Sequence, residues 1–143
     1  MATPTRLRAA GAGAAAATLW AVLEPLDMRL FRNDYSDTAM LGKLVTRSRL
    51  WPVVGVAQHA LNGAVFGLAY QEVRRRTKLP GRPLALALAM LEHTTLYPLG
   101  YFVDRYHPAR GERGLGRMFS PRGFAQETLR HAVFGVALGR LAG

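Results

Sequence analysis

The 143-residue sequence has no cysteine. That excludes a disulfide scaffold, a zinc–thiolate site, a thiolate-bound iron–sulfur cluster, a cysteine nucleophile and covalent c-type haem attachment. Serine occurs only three times. No G-x-S-x-G, P-loop, G-x-G-x-x-G or H-E-x-x-H motif is present, so hydrolase, nucleotide-binding and zincin signatures are missing. Acidic residues are few, 9 against 19 Lys+Arg, for a formal net charge of +10. Such an excess selects an anionic neighbour, either nucleic acid or lipid headgroups. No nucleic-acid motif accompanies the charge, whereas basic loops beside apolar runs are ordinary contacts with anionic lipid. A lipid bilayer is the expected partner, and nucleic acid is not.

Charge is also missing from two long runs. Trp51 to Tyr70 holds no Asp, Glu, Lys or Arg over 20 residues, and Leu84 to Val103 holds only Glu92. About 20 mainly apolar residues match the hydrocarbon core of a bilayer. Two weaker runs flank them: Ala9 to Leu23, extending through Leu30 if Glu24 and Asp27 are sheltered, and Phe124 to Ala142. A soluble bundle would give each helix a charged face, and the second run has none. The pattern predicts an all-α, four-transmembrane-helix bundle forming one domain over residues 1–143. Arg6 and Arg8 precede the first run as in a signal sequence, but no clear cleavage site follows, so a retained first helix is expected. Arg74, Arg75, Arg76, Lys78 and Arg82 crowd the central connection. Their density favours the cytoplasmic side, with both termini there too.

Two connections carry further expectations. Ser36 or Asp37 is a plausible cap for a short helix. Met40, Leu41, Leu44 and Val45 then face away from Lys43, Arg47 and Arg49, as in a helix lying among headgroups. Residues 110–123, rich in Gly and Arg and bracketed by His107-Pro108 and Ser120-Pro121, read as an irregular loop.

The sequence repeats itself. His59 to Gly67 and His131 to Gly139 both read H-A-x-x-G-x-x-x-G, 72 positions apart. Ala21 to Glu24 and Ala89 to Glu92 both read A-x-L-E, 68 positions apart. The order glutamate helix, histidine helix therefore occurs twice. This predicts two tandem hairpins, residues 1–75 and 76–143, related by an axis along the membrane normal. Gly63/Gly67 and Gly135/Gly139 are small residues four apart, the spacing that lets membrane helices touch. Each histidine shares its face with the following glycine. The chain resembles small multi-pass membrane proteins of bacteria that carry His-x-x-x-Gly-x-x-x-Gly helices, over His59 to Gly67 and His131 to Gly139. With Arg outnumbering Lys 17 to 2, the expected location is a bacterial inner (cytoplasmic) membrane.

Ionisable residues inside a membrane cost about 2.5–3.5 kcal/mol each on insertion scales, so they face the interior and find partners. Glu24, His59, Glu92, His93, Glu127, Arg130 and His131 form that set. Three readings stay open. In the first, Glu24/His59 and Glu92/His131 pair, with Arg130 as another partner, and only hold the helices in register. In the second, the set holds a metal or cofactor: His59 and His131 would ligate haem, with Glu127 and His93 as weaker metal ligands. The di-iron pattern is not met, because Glu127 and His131 are four apart rather than three. In the third, Glu92 and Glu24 serve as acid and base toward a lipid-soluble small molecule, or relay protons or ions. A homodimer or a subunit role in a larger membrane complex fits the glycine faces equally well.

Overall fold

The computed structural model describes residues 4–143, and among them the fold is all-helical. The helices are α1 (Pro4–Phe31), α2 (Asp37–Val45), α3 (Trp51–Thr77), α4 (Gly81–Leu96), α5 (Gly100–Tyr106) and α6 (Pro121–Leu141). A 3-10 turn at Tyr97–Leu99 joins α4 to α5. The boundaries follow local chemistry. Ser36 caps α2 by accepting from the Ala39 amide, and Ser120 caps α6 by accepting from Gly123. Pro121 then sits in the first turn of α6, where its missing N–H costs nothing. Pro98 lacks the donor that would continue α4, so the apolar run expected over Leu84 to Val103 is helical but interrupted.

α1 and α3, with 28 and 27 residues, are long and apolar enough to cross a membrane. At 1.5 Å per residue each reaches roughly 40 Å, beyond a hydrocarbon core of about 30 Å.

The long helices pack through small residues. α1 runs antiparallel to α3, with Ala9, Gly13 and Ala17 against Gly63 and Gly67. A Cβ on Gly63 would collide with the Gly13 carbonyl, and one on Gly67 with the Ala9 carbonyl. α6 runs antiparallel to α4, where a Cβ on Gly135 would stand 2.8 Å from the Leu86 Cα and one on Gly139 2.9 Å from the Arg82 Cα. α1 and α6 also run antiparallel, from Arg8 against the Gly143 carbonyl to Asp27 against Arg130. By contrast α3 and α4, joined by residues 78–80, scarcely touch along their lengths.

α2 forms where expected, but Lys43, read as part of its polar outer face, is turned inward. Its buried side carries Asp37, Thr38, Ala39, Gly42 and Lys43, while Leu44 and Val45 are exposed. The reason lies at both ends of its contact. The Glu24 carboxylate takes the N-terminus of α2, and Gly42 and Gly55 bring α2 onto the start of α3. The loop over 107–120 is irregular, as expected, with Gly111 and Gly114 at positive φ. It folds over α2: Lys43 Nζ donates to the Arg113 carbonyl at 2.6 Å, Glu112 pairs with Lys43 and Arg47, and Asp34 accepts from the Gly114 amide at 3.0 Å. Burial, then the neighbouring Arg47, pushes the Lys43 ammonium below its ordinary value.

Candidate functional site

Two polar groupings share the interior. The first is built around Arg130 of α6, which is 2% exposed. Nε and Nη2 grip Asp27 of α1 as a fork at 2.8 and 2.6 Å. Nη2 also donates to the Tyr35 carbonyl at 2.8 Å, and Nη1 to Asp37 at 2.7 Å and Glu127 at 3.0 Å. Gln126 donates to Asp27 at 2.6 Å and accepts from Asn33 at 2.9 Å. A planar guanidinium offers five donors in a fixed fork, and this site occupies it on every side. Glu24 stands 3.8 Å from Arg130, but its hydrogen bonds go elsewhere. It accepts from Ser36 Oγ at 2.6 Å, the Asp37 amide at 2.7 Å, the Thr38 amide at 3.2 Å and Thr38 Oγ1 at 2.8 Å. A carboxylate at a helix N-terminus satisfies orphan amides and opposes the positive end of the dipole. Tyr35 is wholly buried beside Asp37, its hydroxyl donating at 3.2 Å. Burial, then Asp37 and Glu127, holds its phenol well above the ordinary value of 10.0.

The second grouping lines a pocket of about 230 Å³. Trp20, His59, Asn62 and Phe66 come from α1 and α3, Met40 and Leu41 from α2, Glu92, His93 and Leu96 from α4, and Glu127, His131 and Phe134 from α6. Its walls are mainly apolar with a few convergent polar groups, the usual make-up of a small-molecule site. His131 Nδ1 lies 2.8 Å from the Glu127 carbonyl, which can only accept. In the neutral ring that assigns the proton to Nδ1 and leaves the Nε2 lone pair free. Nε2 stands 3.7 Å from Glu92 Oε2, too far for a direct hydrogen bond. An oxygen atom about 2.8 Å from each would bridge them. His93 has a different role. Thr128 Oγ1 donates to the Phe124 carbonyl at 2.7 Å, so it accepts from His93 Nε2 at 2.9 Å. Trp20 meets the rings of His59 and His131 edge-on, with centroids 4.9 and 4.8 Å apart. Trp20 Nε1 and His59 Nε2 are buried without a hydrogen-bond partner.

The fold therefore brings together His59, Glu92, His93, Glu127 and His131, and sets Glu24 apart. Glu92 and His131 stand 3.7 Å apart. Glu24 and His59 make no ion pair: Glu24 binds the start of α2, and Trp20 takes the place against His59. Among the described residues no three His, Asp or Glu side chains converge as a metal site would require. Glu127, proposed from sequence as a metal ligand, is spent on Arg130, and His93 on Thr128. The indole of Trp20, not an open slot, lies against both histidines proposed for haem. Sequence reasoning also passed over Asp27, Gln126 and Tyr35. A signal was present for the first of these. Glu24 and Asp27 are three apart on α1, and Glu127 and Arg130 are three apart on α6, so two helix faces carry complementary charge. No family model, curated protein or solved structure matches this chain.

Proposed function

We propose that this chain is a four-span membrane bundle whose interior pocket binds a small lipid-soluble molecule and exchanges a proton with it through Glu92 and His131. One observation carries the reading: the molecule is charged inside and apolar outside. Arg130 and Glu127 are 2% and 1% exposed, while Val22, Leu61 and Leu91 are 69%, 63% and 61% exposed. Only 39% and 28% of the most apolar stretches of α1 and α3 are buried. A helix that apolar in a water-soluble protein would be covered, whereas lipid leaves it open. α6 joins the set because its polar residues Gln126, Glu127 and Arg130 all turn inward. The tandem-hairpin reading is supported by the two antiparallel pairs, α1/α3 and α4/α6, each sealed by the glycines of its H-A-x-x-G-x-x-x-G helix. Hydrogen bonds from Arg8 and Arg74 to the last two residues put the start of α1, the end of α6 and the 78–80 connection at one end. That end carries Arg74, Arg75, Arg76, Lys78 and Arg82, which supports a cytoplasmic assignment in a bacterial inner membrane.

In this reading the free Nε2 of His131 is the base. Glu92 is the acid at the pocket mouth, and a substrate oxygen bridges the two. Glu24 is outside this chemistry and positions α2.

The absence of cysteine gives a clean test. Single cysteines at Val22, Leu61, Leu91 and Val136, one on each long helix, should resist a membrane-impermeant maleimide in intact vesicles. Cysteines at Arg76 and Arg113 should react when their side faces the reagent. Reaction of all four span positions in sealed vesicles, at the rate of the loop positions, refutes the bundle reading.

A further inference from the structure

We propose that the pocket's ligand is a single-chain amphiphile with an uncharged hydroxyl head. Its oxygen lies between Glu92 and His131, and its chain lies in the cleft between α3 and α4. The inference rests on the intramembrane reading above and adds the class of ligand and its route.

α3 and α4 are neighbours in sequence, yet they separate above their connection. The cleft between them holds about 350 Å³ and is walled by Phe66, Ala69, Val73, Leu88, Leu91 and Leu96. Phe66, Glu92 and Leu96 line this cleft and the inner pocket alike, so the two spaces meet at Glu92. The Glu92 side chain is 38% exposed, whereas that of Glu127 is 2% exposed. The seams α1/α3 and α4/α6 are closed by backbone contact at glycine, and the groove of about 180 Å³ between α1 and α6 ends against Trp20 and the Arg130–Asp27 pair. The way in from the bilayer is therefore the α3/α4 cleft. One cleft between two helices takes one chain.

The head follows from the donors and acceptors at the junction. Glu92 has no cation beside it except a histidine ring, and Asp37 and Glu127 also face the pocket. An anionic head meets three carboxyl groups there. A cationic head finds the Asp37 and Glu127 carboxyls already bonded to Arg130, which leaves Glu92 as its single acidic partner. A hydroxyl both donates and accepts, which answers the lone pair on His131 Nε2 and the carboxyl of Glu92 together. Trp20 Nε1 and His59 Nε2, buried and unpartnered among the pocket-lining residues, mark hydrogen-bonding capacity that the protein itself leaves unspent.

The test uses the full chain in dioleoylphosphatidylcholine vesicles. The sequence has two tryptophans, so Trp51→Phe leaves Trp20 as the sole fluorophore, and bromine quenches it on contact. Hexadecanol brominated beside the hydroxyl should quench Trp20 saturably and be displaced by plain hexadecanol. Hexadecanol brominated at the chain end should quench several-fold less at the same mole fraction. Ala69→Phe, which fills the cleft at an exposed position, should raise the half-saturating mole fraction by about tenfold or more. Unsaturable quenching, equal for both probes and matched by a brominated phosphatidylcholine, would mean mere contact with the bilayer and overturns the proposal. Displacement by hexadecanoate as effective as by hexadecanol overturns the uncharged head. Should Trp51→Phe fail to fold, the nitrogen resonance of His131 Nε2 in the unaltered chain serves instead: hexadecanol should shift it, and no shift at saturation overturns the proposal. The cysteine labelling separates the two failures. Span positions that react from water remove the bundle itself, whereas protected spans with unsaturable quenching remove only the amphiphile.

Discussion

Arg130→Met is the substitution with the largest expected effect on this fold. Methionine keeps the aliphatic stem and removes all five donors. Asp27 loses both arms of its fork, Asp37 and Glu127 lose their 2.7 and 3.0 Å bonds, and the Tyr35 carbonyl loses its 2.8 Å donor. Removing one partner from a buried ion pair costs about 3–5 kcal/mol, because the charge left behind has neither water nor a counterion. Three carboxyl groups are stranded here, and Asp27 and Asp37 keep only the weaker donors Gln126 and Tyr35. The upper end of that range is expected. Arg130→Lys retains the charge but not the fork, so about 1.5–3 kcal/mol should be lost with the bidentate grip on Asp27. Adding Asp27→Asn to Arg130→Met should restore stability relative to the single variant, with a coupling of about 1–3 kcal/mol. Equilibrium unfolding of the full chain in mixed micelles titrated with dodecyl sulfate measures all four. A loss below about 1 kcal/mol for Arg130→Met, or strict additivity with Asp27→Asn, would refute the claim that this network holds α1, α2 and α6 together.

Three further outcomes follow from the same geometry. Glu24→Ala strips two amides and two hydroxyls of their acceptor. It should cost about 2–3 kcal/mol and speed hydrogen exchange at Asp37 and Thr38 far more than in α3; unchanged exchange there would disprove the cap. Gly63→Ala should break the α1/α3 contact and lower stability by more than about 1 kcal/mol, whereas Gly11→Ala, with open space around it, should be neutral or slightly stabilising; equal effects would contradict the packing. Tyr35 keeps its proton in the fold well above pH 10.0, while the unfolded phenol loses it there. The unfolded state thus binds fewer protons above that pH, and stability should fall as pH rises beyond about 10. Tyr35→Phe should flatten that decline in alkaline unfolding curves, and an unchanged slope would count against the burial of this phenol.

The helical class was legible because charge-free runs and small-residue spacing are local properties. Gly63, Gly67, Gly135 and Gly139 all meet backbone or Cβ atoms of the neighbouring helix, as their spacing requires. The direction of α2 was not legible. Periodicity set Lys43 on a polar face opposite Leu44 and Val45, but Lys43 is buried under the 107–120 loop, and the helix is oriented by Glu24, twelve or more residues away, whose claim on its N-terminus no window could reveal. The site was half legible for the same reason. Glu92 and His131, read from sequence as a pair, stand 3.7 Å apart. Glu24 and His59 do not pair, because Glu24 is taken up by the N-terminus of α2 and Trp20 lies against His59. Arg130 was visible as an ionisable residue in an apolar run. Its partners Asp27, Asp37 and the Tyr35 carbonyl come from two other segments, and only the tertiary fold names them.

The two polar groupings meet at Asp37 and Glu127, which both bond Arg130 and both line the pocket. Glu127 gives its carboxyl to Arg130 and its backbone carbonyl to His131 Nδ1. The first contact lies within α6 and holds the guanidinium that grips Asp27 of α1 and Asp37 of α2. The second sets which nitrogen of His131 is free to face Glu92. A network that only held helices in register would have no need of a polar open volume beside it, and the groove of about 180 Å³ that borders Arg130 and Asp27 is otherwise walled by Trp20, Leu23, Leu26, Leu30, Leu129 and Val133. The pocket lies instead on the far side of Glu127, where His131 Nε2, Trp20 Nε1 and His59 Nε2 remain unmatched by protein. In the proposed reading the Arg130 cluster is the rigid support, and the Glu92–His131 gap the place where a guest completes the hydrogen bonding. Arg130 substitutions should consequently disturb stability and pocket together, whereas Glu92→Gln, at the half-exposed mouth, should alter binding while leaving unfolding within about 1 kcal/mol of the parent chain. A Glu92→Gln chain as unstable as Arg130→Met would place Glu92 in the structural network and leave the pocket without its acid.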